Sequence, residues 1–211
     1  MNLKNWQLKP NCFRVVTMII IACSVFGQRK ADQIRDDILN IPRGQAVTLD
    51  GVIAPGEWDH AARVRISITP DWTVNVLLQH DDTNLYVAFI DVRHGGSERY
   101  PEVLLDPGNE KSNVWKTGRQ WWLHASYNLC ESNTQPNQYA ECAPTKAGWN
   151  ATRFPLKGAS EMAISLNKVG ISPAKPFGLA LDVTDTKAKW NFWPQSAKLE
   201  IPMSWQTAKL Q

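Results

Sequence analysis

The chain has 211 residues, with 23 Lys and Arg against 20 Asp and Glu. Residues 1–27 hold three of the basic residues and no acidic one, so the rest is formally balanced and keeps no basic field to attract nucleic acid. No apolar run reaches the roughly 20 residues of a membrane-spanning helix, and residues 28–211 suffice for one domain with a substantial core.

Lys4, Lys9 and Arg14 lead into the apolar run from Val15 to Phe26, which Gly27 ends. This pattern predicts a signal peptide over 1–27, cut after Gly27, and an exported chain (periplasmic, secreted or on the outer cell surface). Ile20-Ile21-Ala22-Cys23 loosely resembles a lipoprotein box, but the apolar stretch from Arg14 to Cys23 is short. A lipid anchor on Cys23 is therefore the lesser alternative. Cys130 and Cys142 remain after the leader. In an oxidising compartment they are expected to form a disulfide that closes a loop, at about 3 kcal/mol on the loop-entropy model.

Residues 28–46 read as a tether or edge element, and 47–211 as the domain. Val47-Thr48-Leu49 runs into the turn pair Asp50-Gly51. Ala54 to Glu57 is a second turn, and Trp58 to Ala62 is predicted to form one helical turn. Residues 63–69 and 73–79 alternate with period two, the mark of a half-buried strand. The polar turn 80–84 joins 73–79 to 85–92 as a hairpin. A loop covers 93–101, a short strand 103–105, and Asp106-Pro107-Gly108-Asn109 stops it. Over 119–129, Trp121, Leu123, Ala125, Tyr127 and Leu129 share one face and Trp122, His124, Ser126 and Asn128 the other. Residues 131–150 are an excursion, 161–166 and 177–183 are strands, and 197–201 is predicted as the closing strand. Roughly nine to eleven strands at this spacing argue for an all-β antiparallel sandwich.

Nine of the ten Trp lie beyond the leader. Trp58, Trp121 and Trp205 fit apolar faces; Trp72, Trp115, Trp122, Trp149, Trp190 and Trp193 fall in loops or at polar-facing positions. An indole offers a flat apolar face to the C–H patch of a sugar ring and a polar N–H beside it. The plainer reading of any one of them is packing at the rim. His60, His80, His94 and His124 lack zinc-ligand spacing. Asp106, Asn109 and Glu110 cluster in one turn and are candidate calcium ligands, against the ordinary reading as turn-forming residues. No Gly-x-Ser-x-Gly motif occurs and no carboxylate pair stands out, which points to binding without catalysis.

LDGVIAPGEWDHA (49–61), DDTNLYVAFIDV (81–92), PEVLLDPGN (101–109), SEMAISL (160–166) and FGLALDVTDT with WNFWP (177–194) follow one another in order. Together, over about residues 47–202, they resemble the family 9 carbohydrate-binding modules and their wider DOMON-like superfamily. The resemblance implies a jelly-roll-type sandwich, structural calcium, an oligo- or polysaccharide ligand and association with glycoside hydrolysis in carbohydrate metabolism. A monomer is expected. Two aromatic residues grip the sugar in such modules, and Trp193 of NFWP corresponds to one. The position corresponding to the other holds Gly96, with Tyr100 nearby. His124 and Ser126 stand where the family has a guanidinium and an amide. Trp190, Trp122 and Asp185 complete the candidate site. The superfamily also includes haem-binding members. Haem is the lesser alternative here, because Met162 reads as buried, Met203 lies near the end, and no Cys-x-x-Cys-His motif occurs. A vestigial sandwich serving a protein partner is the third reading.

Overall fold

The computed structural model describes residues 38–125, 130–133, 140–141, 148–152, 158–187 and 189–211. The period-two segments 63–69 and 73–79 and residues 121–125 are strands. In chain order they are β1 (Leu39–Ile41), β2 (Ala62–Thr69), β3 (Trp72–His80), β4 (Asn84–Ile90), β5 (Arg93–His94), β6 (Ser97–Glu98), β7 (Tyr100–Asp106) and β8 (Trp121–Ala125). Then follow β9 (Cys130–Asn133), β10 (Ala140–Glu141), β11 (Trp149–Ala151), β12 (Ala159–Ser165), β13 (Phe177–Thr184), β14 (Asn191–Trp193) and β15 (Gln206–Leu210). The first sheet runs β1-β15-β13-β7-β8-β9-β10, with β14 also paired to β13. The second runs β11-β12-β4-β3-β2, and β5 and β6 form a separate ribbon. All these pairings are antiparallel except that of β1 with β15. Among the described residues no helix is long and apolar enough to cross a membrane.

Both sheets send every second side chain into a shared interior. Val74, Val76 and Leu78 from β3 and Val87 and Phe89 from β4 meet Val103, Leu105, Leu123, Leu179, Leu181 and Val183 from the first sheet. Burial of this apolar surface at about 25 cal/mol per Å² is what holds the two layers together. The outer faces are also covered. Trp58, Ala61, Leu77, Tyr86 and Ala88 pack outside the second sheet, and Leu104, Trp122, Ala180, Ala197 and Trp205 outside the first. Trp72 and Trp149, expected in loops, are strand residues buried by their neighbours, and the Trp72 indole N–H donates to the Asp91 carbonyl at 2.7 Å.

The predicted hairpin is β3–β4, with His80 opposite Leu85. The predicted strand 103–105 extends to all of β7, because β13 and β8 flank it on both sides. Leu166 belongs not to a strand but to the short helix α1 (Leu166–Val169), ended by Gly170 at φ 84°, whose N–H returns to the Leu166 carbonyl. Residues 58–61 make a single turn closed by Ala61 N–H to Trp58 O rather than a helical turn, and Ala62 already enters β2. The closing strand is β15, not 197–201. That segment instead lays Ala197 and Leu199 over the outside of the first sheet, so its apolar residues serve cover and not pairing. Part of 28–46 is β1. Cys142 lies outside the described residues, and with it the Cys130–Cys142 disulfide.

The turn after β3 is organised by one carboxylate. Asp81 Oδ1 accepts the N–H groups of Thr83 and Asn84, both at 2.7 Å, and Oδ2 accepts the Tyr86 hydroxyl at 2.7 Å. Burial alone would raise the Asp81 pKa, but these donors outweigh it and bring it to about 2. Burial and the bond to Asp81 push Tyr86 up to about 12. A depressed carboxylate contributes stability above its unfolded pKa and loses it as pH falls through the folded one. Tyr86→Phe is therefore expected to cost about 1–2 kcal/mol in urea denaturation and to bring the acid loss to higher pH. Carboxyl ¹³C titration of Asp81 checks this; an unmoved Asp81 would remove Tyr86 from the account.

Candidate functional site

The strands that send Leu181, Val103 and Leu123 inward send their alternate residues to the outer face of the first sheet. Register places Phe192 opposite Asp182, Asp182 opposite Glu102, and Glu102 opposite His124. Directly opposed residues share a face, so β14, β13, β7 and β8 carry one continuous row. Glu102 is 1% exposed and Asp182 0%, while the His124 side chain keeps 16% of its surface.

Glu102 is the acceptor at the centre of the row. Its Oε1 lies 2.6 Å from His124 Nδ1, and its Oε2 accepts the Trp122 indole N–H at 2.9 Å. Neither Asp182 oxygen meets a donor in good geometry. Burial, and then the Glu102 charge and hydrogen bond, raise the Asp182 carboxyl well above the usual carboxylate range, and the nearby Asn191 and Val183 N–H groups counter this only in part. Asp182 thus faces Glu102 across β13 and β7 as a buried carboxyl whose ionisation is disfavoured.

Aromatic rings frame the row. The Tyr100 ring centroid is 6.3 Å from that of His124, and Trp122 meets His124 edge-on at 6.2 Å. Tyr100 and Phe192 are half-buried. Below the row, Leu104, Ala180, Trp122 and Trp205 form an apolar floor.

A second group ties two loops together. Arg99 Nη1 is 2.8 Å from Asp185 Oδ2, and its guanidinium carbon lies 5.4 Å from the centre of the Trp72 ring. His94 stacks on the same indole at 5.6 Å. Asp185 Oδ1 accepts the N–H groups of Lys187 and Lys189. These N–H groups, with Arg99, hold the Asp185 pKa below its ordinary value. The loop before β7 is thereby joined to the turn after β13.

Of the residues singled out from sequence, Tyr100, Trp122 and His124 come together on this face. Trp122 contributes its N–H and packs its ring into the floor. Trp193 sits opposite Leu181, on the core side of β14, half-buried against the inter-sheet core. It is therefore on the other face from His124. Trp190 is 44% exposed immediately before β14. Asp185 is drawn to Arg99, and Ser126 lies outside the described residues. Glu102, Asp182 and Phe192 were missed. Sequence reading found no carboxylate pair because Glu102 and Asp182 are 80 positions apart. The available clue was alternation, which puts each acid out of phase with the apolar residues beside it.

Glu110 is held by Lys116 at 2.7 Å and Arg119 at 2.9 Å, while Asp106 accepts from Gln120 Nε2 and from the Lys111 N–H. Asn109 keeps one buried side-chain oxygen without a partner. Among the described residues no group of three or more His, Cys, Asp and Glu is set to hold a metal ion. Met162 is sealed in the core and Met203 is exposed. A cleft of about 360 Å³ lined by Arg43, Glu57, Asp59, His60 and Gln79 shares no residue with the row.

No protein-family model matches the chain, and no curated protein does. Among solved structures it is similar in fold to a family 9 carbohydrate-binding module from Caldicellulosiruptor kristjanssonii in complex with cellotriose. The TM-score is 0.57 at 16% identity, over 82% of this chain and 93% of that one. A family 9 module from the same organism in complex with glucose gives 0.55 at 17% identity, over 82% and 95%. The chain therefore has a family-9-like β-sandwich fold.

Proposed function

We propose that this chain is a non-catalytic carbohydrate-binding module that holds a glucose-containing saccharide at the Glu102–His124 row. The observation that carries the reading is that row itself: a carboxylate and an imidazole held rigidly at a sheet surface and framed by aromatic rings. Sugar hydroxyls need fixed donors and acceptors, and the C–H face of the ring needs an aromatic surface. His124, held in place by the buried Glu102, supplies the first; Tyr100, with exposed Trp190, supplies the second. The fold likeness to modules that hold cellotriose and glucose supports the ligand class, and the leader-like residues 1–27 support an exported protein.

Calorimetric titration of residues 28–211 with glucose, cellobiose and cellotriose tests the reading. Tyr100→Ala is expected to weaken binding by about 1–2 kcal/mol, roughly 5- to 30-fold. Trp193→Ala is read together with a thermal melt, because that ring also packs against the core. A wild-type chain silent towards these sugars and on a glycan array would refute the proposal.

A further inference from the structure

We propose that Asp182 is a positioning residue of this site and works as a neutral acid. Its carboxyl proton is donated to Glu102, which keeps Glu102 in place to orient His124 for ligand hydroxyls, so affinity falls when that proton leaves. The inference rests on the carbohydrate reading above.

Geometry assigns the proton. An indole N–H can only donate, so Trp122 fixes Glu102 Oε2 as an acceptor, and His124 Nδ1 occupies Oε1. In the tautomer with the proton on His124 Nδ1, both Glu102 oxygens accept, and Glu102 is the charged partner. Asp182 lies directly opposite it on β13, wholly buried, with neither oxygen meeting a donor in good geometry. An ionised Asp182 would place an unsolvated second charge beside the first, which costs far more than retaining a proton. With the proton retained, the pair closes with one O–H to O⁻ hydrogen bond, the short and strong kind. The raised Asp182 pKa agrees.

The titratable groups beside Asp182 on the neighbouring strands are Glu102 and Tyr100 on β7 and His124 on β8. On its other side β14 presents Phe192, and the covering segment presents Ala197 and Leu199, all apolar. Once Asp182 ionises, repulsion between the two carboxylates acts along the row and displaces Glu102 from its place beside His124.

The test is cellotriose affinity by calorimetry on residues 28–211, wild type and Asp182→Asn, from about pH 5 to about pH 9, where desolvated carboxyls lose their protons. Carboxyl ¹³C titration of Asp182 without ligand accompanies it. Wild-type affinity is expected to hold at low pH and then fall by up to about tenfold per pH unit, the limit for one linked proton. The fall should begin where the Asp182 carbon titrates. Asp182→Asn keeps a donor that cannot ionise and should lack the fall that coincides with Asp182 titration, while any dependence due to His124 remains in both proteins. An Asp182 carbon already ionised at neutral pH, or an Asn variant that follows the wild-type profile, overturns the proposal. A wild-type chain that binds no saccharide at any pH overturns it together with the carbohydrate reading, and the ¹³C titration then distinguishes a missing ligand from a missing proton.

Discussion

Glu102→Ala is expected to lose about 3–5 kcal/mol of stability, the usual cost of breaking a buried charged pair by removing one partner, and to abolish saccharide binding. Glu102 is 1% exposed, accepts the Trp122 indole N–H and lies 2.6 Å from His124 Nδ1. Alanine would leave the Trp122 N–H and the His124 Nδ1 contact without their acceptor and open a void above the apolar floor. Asp182 would lose the neighbouring charge that raises its pKa, leaving burial as the main cause. Glu102→Gln keeps an acceptor oxygen and is expected to recover most of the stability. Urea denaturation of both variants reads this directly. A Glu102→Ala protein within about 1 kcal/mol of wild type would show that the row does not hold this face together.

Trp58→Ala is expected to cost as much, about 3–5 kcal/mol, for a different reason and with a different consequence. Trp58 is 2% exposed and centres the apolar cluster outside the second sheet, against Leu77, Tyr86 and Ala88. Its indole lies against the buried Glu161, whose Oε2 accepts the N–H groups of Asp50 and Gly51. Truncation removes the ring that clamps residues 47–61 onto the sheet. Glu102 and His124 are on the first sheet, so saccharide affinity measured well below the melting temperature should stay within about twofold of wild type, as expected for sites that share no partner. A large loss of affinity in the folded variant would mean that the two outer faces are coupled, contrary to the separate clusters seen here.

Period two alone yields the sandwich. Val74, Val76 and Leu78, like Leu179, Leu181 and Val183, sit at every second position because only one face of each strand meets the other sheet. The same rule placed Trp122 and His124 outward, as observed. It failed at 197–201, where apolar residues cover a sheet face without joining a ladder, and at Trp72 and Trp149, whose burial depends on neighbours distant in sequence. Register adds to what the motif around Trp193 shows. Pairing with Leu181 puts this half-buried indole on the core side of β14 and Phe192 on the outer side, which the local sequence does not reveal.

By itself the amino-acid sequence determined the all-β class, the β3–β4 hairpin and the polar face of β8, because these follow from local periodicity and turn chemistry. Only tertiary structure decided that Glu102, Asp182 and His124 form one row. Strand register brings together residues far apart in the chain, and burial then converts two ordinary carboxyls into a proton-sharing pair. Proton sharing is a property of the dry, crowded sheet surface that desolvates both groups, and no single segment of the chain contains it.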